Sequence, residues 1–401
     1  MQNKTSHTIV FLLTAGCFLA FFIFGFTDNL KGPTLPAMLA ELNISYGTGG
    51  NIFFGEYLGF IIATLITGLL ADRFGLKIVI LFAGICLLVG VGGYSSFQLP
   101  IFLAISLFII GLGLGAFELG PNAIIVSLHP KRKGLYLNLM SVLHGLGSML
   151  APLFAGWLFI SNTSWRIVYR WDLPLIAFFV LLAIFLRFPK AEEKVELDFR
   201  HIPQIAFTGQ LPWFYVVISL YVAAEISVGS WLVTFLQQLR AASVASSTQF
   251  LSLFFATLMV GRLLGGFFVQ RIGYLRSIFF ASMCSMFCIF IGLFGPVQLS
   301  FFLPMTGLFF SIIFPTITAA VSDLHHENIN TVLGVLFTFS GLGGLIGPWL
   351  VGWGSDLFGL QAGFVIILIF IFLMSISIFI LIRGADHATK TELGTSFDGP
   401  N

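Results

Sequence analysis

Charge is scarce in this sequence. Asp, Glu, Lys and Arg make up 9% of its 401 residues, whereas hydrophobic residues make up 58%. Soluble globular domains carry about 25% charged residues, so the composition excludes that class. The net charge of +2 gives no reason to expect a nucleic-acid partner. The sequence therefore indicates a polytopic protein embedded in a lipid bilayer.

Cysteine and recognisable catalytic motifs are also scarce. Four cysteines fall inside apolar runs, where thiols do not build the disulfide framework of a secreted domain: Cys17, Cys86, Cys284 and Cys288. The last two have no histidine or carboxylate beside them, so packing is favoured over metal binding. The sequence has no glycine-rich phosphate loop with lysine, no HExxH and no nucleophile elbow. We therefore expect no enzyme activity, no metal and no cofactor, and energy from an ion gradient or from the solute's own gradient.

Apolar runs of roughly 20 residues, the length that crosses about 30 Å of hydrocarbon, recur along the chain. They lie at 8–30, 50–71, 78–96, 100–126, 135–160, 173–188, 211–237, 250–270, 277–296, 300–321, 331–353 and 362–383. The first runs on into Asp28 without a cleavage pattern, so we interpret it as retained. The sequence predicts an all-α membrane protein with twelve transmembrane helices in two six-helix bundles, at 1–188 and 211–401, joined by a cytoplasmic linker at 189–210.

Lysine and arginine predict the orientation, because cytoplasmic segments are enriched in both. With a cytoplasmic N-terminus, fourteen fall in inner segments: Lys4, Arg73, Lys77, Lys131, Arg132, Lys133, Arg187, Lys190, Lys194, Arg200, Arg271, Arg276, Arg383 and Lys390. Four fall in outer segments: Lys31, Arg166, Arg170 and Arg240. Arg262 remains, inside the eighth span. We therefore expect a multi-pass protein of the cell membrane with both termini in the cytoplasm.

The two halves of the sequence repeat one another. Three pairs match at offsets of 196 to 198 residues. Two are segment pairs: GLGSMLAPLFAGW (145–157) with GLGGLIGPWLVGW (341–353), and GLLADRFG (68–75) with GFFVQRIG (266–273). In the third, Asp28 aligns with Glu225 and Gly32 aligns with Gly229. The first pair shares six residues without a gap. Three matches near one offset predict two parallel six-helix repeats related by an axis along the membrane normal.

The stretch GLLADRFGLK at 68–77 resembles the signature loop between the second and third helices of the major facilitator superfamily. The match rests on Gly68, Asp72, Arg73, Gly75 and Lys77. An ordinary positive-inside loop explains Arg73 and Lys77 but not Gly68 and Asp72. The resemblance implies that this loop, together with Arg271 in the second repeat, forms charge pairs that latch one conformation and release in the other.

Three further stretches resemble the fucose, galactose and glucose permease group of that superfamily. They are FELGPNAIIVSLHP (117–130), GLFFSIIFPTIT (307–318) and YVAAEISVGSW (221–231), the last being especially similar to the sodium-dependent glucose transporter-like branch. With LNLMSVLHGLG (137–147) on helix five, the resemblance spans essentially the whole transmembrane core. It implies the major facilitator fold and the transport of a monosaccharide with a cation.

The sequence departs from this group at two places. Helix one of the proton-coupled members ends in an Asn-Asp pair before a proline, whereas Lys31 and Gly32 stand there in this chain and Asp28 lies one turn earlier. The glutamine that those permeases use on helix five is Ser141 here, with His144 one turn further along. The coupling ion therefore stays open between sodium, which the resemblance favours, and a proton. The identity of the sugar stays open as well.

Acidic residues inside apolar spans are candidate functional groups, because a charge at membrane depth is costly unless it is protonated, paired or hydrated. Asp28, Glu56, Glu118 and Glu225 occupy such positions, and we interpret all four as candidates for cation coupling. Glu118 lies among glycines, with Asn122 one turn on at the same helix face. A carboxylate at this position can accept a proton, coordinate sodium or accept two sugar hydroxyls.

Other polar side chains in the spans are candidate ligands for sugar hydroxyls. His144 and Ser141 share a helix face, and the repeat partner of His144 is another polar residue, Ser340. Trp231 offers an indole to stack on a pyranose ring, or alternatively an interfacial anchor. The complete set of candidate substrate ligands is Asn29, Glu118, Asn122, Ser141, His144, Glu225, Trp231, Gln237 and Thr316.

We therefore expect a secondary active transporter that carries a glucose-like hexose with sodium or a proton by alternating access, acting as a monomer. Two alternatives stay open. One is an exporter of amphipathic drugs or lipids, which an aromatic-rich cavity would suit, and the other is a non-transporting membrane receptor. The expected partners are a small solute and the lipid bilayer, with no nucleic acid.

Overall fold

The chain is helical throughout the part that the computed structural model describes, which is residues 7–186, 188, 206–324 and 329–395. Its helices are α1 (His7–Asp28), α2 (Lys31–Leu42), α3 (Tyr46–Phe74), α4 (Leu76–Tyr94), α5 (Pro100–Leu128), α6 (Lys133–Ile160), α7 (Trp165–Phe185), α8 (Leu211–Leu239), α9 (Val244–Ile272), α10 (Tyr274–Phe294), α11 (Phe302–Phe310), α12 (Ile313–Leu324), α13 (Ile329–Phe358) and α14 (Leu360–Thr395). A short 3₁₀ turn at Val297–Phe301 leads into α11.

These elements form twelve membrane-length spans, which confirms the predicted number. α1 and α2 together make the first span, and the 3₁₀ turn, α11 and α12 make the tenth. Most of the predicted linker at 189–210 falls outside the described residues, so the bounds of the two six-helix units stay a prediction. Below, α1 to α7 are called the N-terminal half and α8 to α14 the C-terminal half.

Two predicted spans have the wrong bounds. The first continues to Leu42 instead of ending at residue 30, because Lys31 lies inside the protein and does not mark the membrane surface. The sixth begins at Trp165 instead of residue 173, because its first two turns bury one face, including Asp172. Arg166 and Arg170, on the other face, bond to the backbone carbonyls of the loop that follows α4. The corrected bounds therefore place a further buried acid, Asp172, inside the spans.

Prolines explain why two of the spans are interrupted. An α-helix needs a backbone N–H four residues after each carbonyl, and proline has none. The break between α1 and α2 falls at Asn29–Leu30, with Asn29 four residues before Pro33. The break between α11 and α12 falls at Ser311–Ile312, with Ser311 four residues before Pro315. The first of these breaks carries residues of the site described below.

The predicted sequence repeat has a structural counterpart at the short turns after α3 and α9. α3 ends at Gly75 with φ of 84°, and α9 ends at Gly273 with φ of 86°. Such a positive φ is readily adopted only by glycine, so both turns need glycine at this position. The aligned segments 68–75 and 266–273 thus end in the same backbone conformation.

Within the described residues, the contacts between the two halves lie toward one end of the helices. α2 packs on α8, α3 on α13, and α6 on α9. The contacts lie toward the loops at 43–45, 161–164 and 240–243, and we call this side the opposite face. The side that carries His7 and the turns at Gly75 and Gly273 is called the terminal face. Toward the terminal face, a Cβ added at one glycine of each of the contacting helices α3, α6, α9 and α13 would meet open space: Gly68, Gly134, Gly266 and Gly334. The helices therefore diverge there, and the space between the halves opens toward the terminal face.

Candidate functional site

A polar cavity lies where the two halves meet. The N-terminal half lines it through α1, α2, α3 and α6, and the C-terminal half lines it through α8 and α9. Its charged and hydrogen-bonding side chains are Asp28, Asn29, Lys31, Tyr57, His144, Ser148, Glu225, Ser230 and Arg262. The cavity therefore combines both signs of charge with neutral donors and acceptors.

Lys31 is the centre of the charge cluster in the N-terminal half. Its ammonium Nζ lies 2.5 Å from Asp28 Oδ1 and 3.0 Å from Glu56 Oε1. It also lies 4.8 Å from the centre of the Tyr57 ring, an additional favourable contact for a cation. The side chains of Lys31, Asp28 and Glu56 are only 5%, 14% and 3% exposed. This lysine is a buried partner of two predicted coupling acids.

The position of Lys31 overturns its assignment to an outer segment. The helix break at Asn29–Leu30 does not bring the chain to the surface, because α2 continues through Leu35 and Met38, which are both 1% exposed. A buried lysine needs a counter-charge, and Asp28 on the preceding turn and Glu56 on α3 supply it. The outer segments therefore hold three basic residues rather than four, which strengthens the asymmetry that predicts the orientation.

Arg262 is the second cation of the cavity, and its contacts are looser. Its Nη2 lies 3.9 Å from Glu225 Oε1, and its side chain is 36% exposed. Its charge also acts on Glu118, on α5 in the other half. Of the predicted coupling acids, Glu225 is therefore the one that the partly exposed guanidinium of Arg262 contacts within the described residues. The carboxylate of Glu118 has no hydrogen bond or ion pair within the described residues, so it is free to take a ligand.

Asn29 and His144 line the cavity from the N-terminal half. Asn29 Nδ2 donates to Gly25 O at 2.9 Å and to Ser148 Oγ at 3.0 Å, which fixes the amide beside the helix break. His144 packs its ring edge-on against Phe24, with ring centres 4.8 Å apart. Its ring nitrogens have no hydrogen bond within the described part of the chain. They therefore remain available to a solute in the cavity.

Two other predicted ligands bond to their own helices. Asn122 Nδ2 donates to the backbone carbonyl of Glu118 at 2.5 Å, so the two residues do share a helix face. Ser141 Oγ donates to Leu137 O at 3.1 Å, and this side chain is exposed. Neither residue lines the cavity in this conformation.

Three predicted ligands of the C-terminal half also lie away from the cavity lining. Trp231 is fully buried, donates from Nε1 to Pro348 O at 3.1 Å, and packs edge-on against Tyr46 and Phe53. Gln237 donates to Ser247 Oγ at 2.9 Å. Thr316 is buried on α12, next to Pro315. Trp231 therefore contacts the other half through aromatic rings on the side of the opposite face.

Polar contacts hold the two halves together at the opposite face. The backbone N–H of Gly47 donates to Asp356 Oδ2 at 2.8 Å. Asn51 Oδ1 accepts from the indoles of Trp349 at 2.9 Å and Trp353 at 3.1 Å. Close helix approach adds to these bonds, and the carbonyl of Gly229 occupies the space that a Cβ on Gly32 would need. The cavity is therefore closed toward this face.

The predicted latch lies at the terminal face. Asp72, Arg73 and Arg271 are exposed. Asp72 makes no ion pair with any described residue, and Arg73 stacks on the Phe74 ring at 5.2 Å. Lys77 Nζ donates to Ile184 O at 2.7 Å. Within the described residues, the charged side chains of the predicted latch thus form no ion pair in a structure that is open on their side, and the latch role stays a prediction.

Sequence reasoning missed three charged residues inside the protein. Lys31 was assigned to a surface segment, Arg262 was given no role, and Asp172 was left outside its span. Asp172 is fully buried and accepts from Thr27 Oγ1 at 2.7 Å, which ties α7 to α1. A usable signal was the spacing of Lys31 three residues after Asp28, which allows an ion pair within a single helical turn.

Known proteins identify the family of this chain. The sequence matches the Major Facilitator Superfamily over residues 17–329, more than half of the chain. The chain belongs to the major facilitator superfamily. A putative glucose/galactose transporter of Helicobacter pylori is 26% identical to this chain over 388 residues, covering 89% of this chain and 91% of its own length.

Two solved structures share the fold of this superfamily member. A crystal structure of the E. coli fucose:proton symporter FucP is 19% identical, covers 91% of this chain and 97% of its own, and has a TM-score of 0.63. A crystal structure of the nucleoside transporter NupG is 13% identical, covers 94% of this chain and 98% of its own, and has a TM-score of 0.76. The predicted fold and family are confirmed, and the protein is a membrane transporter rather than an enzyme.

Proposed function

We propose that this transporter moves a hexose across the cell membrane by alternating access, coupled to a cation. The observation that carries the proposal is the polar cavity at the junction of the two halves, which presents donors, acceptors and both signs of charge to a solute. A polyhydroxylated ring needs such a mixed lining, because each of its hydroxyls both donates and accepts. Support for a sugar comes from the Helicobacter relative, whose name gives glucose and galactose as its substrates.

We assign Asn29, His144 and Glu225 to direct contact with the sugar, because all three line the cavity. Asn122, Ser141 and Thr316 remain candidates for a conformation in which the helices have shifted. For Trp231 we infer a role at the closed face, since its indole is already bonded to Pro348 O. We give Gln237 the same role, because it is bonded to Ser247 and does not line the cavity.

For cation coupling we favour Glu118 and Glu225. Glu225 lies 3.9 Å from the partly exposed guanidinium of Arg262, and Glu118 has no ion pair within the described residues. An acid that is weakly paired in a partly dry site can take up a proton or a sodium ion and release it when the site opens. Of the two, Glu225 lines the cavity, so a cation taken up there would meet the sugar, as coupling requires.

The orientation follows from the distribution of lysine and arginine. With basic residues concentrated toward the terminal face, that face is cytoplasmic and both termini lie in the cytoplasm. The conformation with a closed opposite face is then the inward-open one. Separation of α3 from α13 and of α6 from α9, with closure near Asp72 and Arg271, would expose the cavity to the outside.

Uptake of labelled hexose into proteoliposomes tests the function. We expect accumulation driven by a cation gradient and competition by unlabelled hexoses. Competition by apolar compounds alone would indicate the exporter, and no uptake or exchange of any solute would indicate the receptor. Liposomes with the Glu225→Gln variant serve as a matched control, because the change keeps the volume of the side chain and removes its charge.

The driving ion is tested in the same vesicles. One set receives an inward sodium gradient at equal pH, and the other receives an inward proton gradient without sodium. We expect accumulation in the first set, following the resemblance to sodium-dependent glucose transporters. Accumulation only in the second set would make the proton the coupling ion, and accumulation in neither would make the protein a facilitator.

A further inference from the structure

The arrangement around Lys31 points to a cation site that the chain fills by itself. Asp28 and Glu56 direct one carboxylate oxygen each at the same ammonium, at 2.5 and 3.0 Å. The second oxygen of Glu56, Oε2, is buried and has no hydrogen-bond partner within the described chain. Two nearly dry carboxylates with a spare oxygen form a ligand set for a monovalent cation. The occupant in this chain is a covalently attached ammonium.

The local backbone adds further oxygens to this segment. Pro33 and Pro36 cannot donate to the carbonyls of Asn29 and Gly32, the acceptors four residues earlier. Carbonyls released at an interrupted membrane helix are recurrent cation ligands in transporters. The interrupted helix thus offers oxygen ligands for a cation, and the side chain of Lys31 arises between the two released carbonyls.

All members of this cluster belong to the N-terminal half. Asp28 ends α1, Lys31 begins α2, and Glu56 and Tyr57 lie on α3. A movement of one half against the other therefore leaves the contacts of Lys31 intact. The ammonium stays in place through such a cycle, unlike a free cation, which enters and leaves.

We propose that Asp28 and Glu56 form a monovalent-cation site permanently occupied by the Lys31 ammonium, so that no external sodium ion or proton binds there in the native chain. Any external coupling ion must then use the acids around Arg262. This assignment of the site does not depend on which solute the protein carries. Its meaning for the transport cycle rests on the proposed function. Removal of the lysine side chain would leave two uncompensated carboxylates, which would then recruit a cation from solution.

The experiment compares the thermal unfolding of the purified full chain in sodium chloride and in choline chloride at equal ionic strength, at several pH values. For the native chain, we expect the same unfolding temperature in sodium chloride and in choline chloride. Lys31→Gln should gain a rise on the order of 3 °C in sodium at fixed pH, because a ligand that binds only the folded state stabilises it. If a proton fills the site instead, the gain appears on acidification without sodium, and it supports the proposal equally.

Two control variants separate this site from other titrating groups. Lys31→Arg retains a cation and should behave as the native chain. Lys31→Gln combined with Asp28→Asn leaves one carboxylate. Its unfolding temperature should not rise with sodium or on acidification as that of Lys31→Gln does. The other charged and titratable groups that face the site are the same in both glutamine variants, so they do not account for a difference between these variants: Tyr57, Tyr94, His144, Tyr169 and Glu225.

Two results would overturn the proposal. One is a sodium-specific shift in the native chain that disappears in Asp28→Asn, because sodium would then bind beside the lysine. The other is a Lys31→Gln variant that folds and responds to neither sodium nor pH. If Lys31→Gln is recovered folded only when membranes are solubilised in sodium, the proposal is supported. None of these measurements requires hexose transport, so they stand apart from a failure of the transport assay.

Discussion

The two halves of the molecule hold their buried charges in opposite ways. In the N-terminal half, Lys31 contacts two carboxylates and is 5% exposed. In the C-terminal half, Arg262 is 36% exposed and lies 3.9 Å from its nearest carboxylate oxygen. The sequence repeat predicts that Asp28 and Glu225 are equivalent, but the helix ends at Asp28 and continues through Glu225, and their charge partners differ as well. The acid at one of these two positions is thus held in a buried ion pair, whereas the acid at the other stays accessible from the cavity.

The largest expected difference between the two clusters is in stability. Lys31→Ala leaves two buried carboxylates without a cation and should cost about 3–5 kcal/mol. Arg262→Ala removes a partly hydrated guanidinium and should cost about 1 kcal/mol or less. Equilibrium unfolding of both variants in lipid nanodiscs measures the difference, with Lys31→Arg as the control that keeps the charge. Equal losses of unfolding free energy in the two alanine variants would contradict the proposed difference between the two charge clusters.

The next effect concerns transport and should be confined to the acids assigned to coupling, Glu118 and Glu225. Glu118→Gln and Glu225→Gln keep side-chain volume but remove charge, so concentrative hexose uptake should fall about 100-fold or more, as for the loss of a positioned proton-transfer group. Stability should change little. Asp323→Asn, an exposed acid on α12, is the control and should transport normally. Near-normal accumulation by both glutamine variants would place the coupling site elsewhere.

A smaller effect is expected where the halves touch at the opposite face. Asp356→Ala removes the acceptor for the Gly47 N–H, and a charge-assisted hydrogen bond contributes about 1.5–3 kcal/mol. The population open to the opposite face should therefore rise about 10-fold or more. Spin labels at Asn43 and Leu357, one on each half, report this opening as a longer distance. Asp356→Asn keeps an acceptor oxygen and should shift less than the alanine variant.

The smallest effect is expected at the predicted latch, because its charges are unpaired in this conformation. Asp72→Asn should leave hexose affinity within a few fold while it slows the transport cycle, since the charge acts only in the state closed at the terminal face. Binding by equilibrium titration and initial uptake rates separate the two quantities. Lys131→Gln, another charge of the same face, is the matched control. A collapse of affinity with normal cycling would argue against a latch at Asp72.

The fold was accessible from the sequence because membrane length and charge distribution constrain it directly. Runs of about 20 apolar residues predicted the twelve spans. The repeat offset also predicted that the turns at Gly75 and Gly273 would be equivalent. The interruptions at Asn29 and Ser311 lie four residues before Pro33 and Pro315. Prolines alone did not mark them, because Pro121, Pro152 and Pro348 stand inside unbroken helices.

The site was only partly accessible, because partner choice depends on which helices face one another. Sequence alone marked Asp28 and Glu56 as costly acids but did not show that they converge on Lys31 from α1 and α3. It likewise marked Trp231 as a sugar-stacking residue, whereas its indole bonds to the Pro348 carbonyl within the same half and its ring packs across the halves on Tyr46 and Phe53. Local spacing defines helix faces but does not define their neighbours.

Because of the contact between Gly32 and Gly229, a substitution at Gly32 should change the conformation much more than the same substitution at Gly229. A Cβ on Gly32 would collide with the carbonyl of Gly229, whereas a Cβ on Gly229 would meet only the Phe255 ring at 3.5 Å. Gly32→Ala would thus act as a wedge that splits the closed face, and Gly229→Ala would be accommodated. One methyl group at residue 32 is accordingly the minimal change expected to hold the carrier open toward the opposite face for structural work.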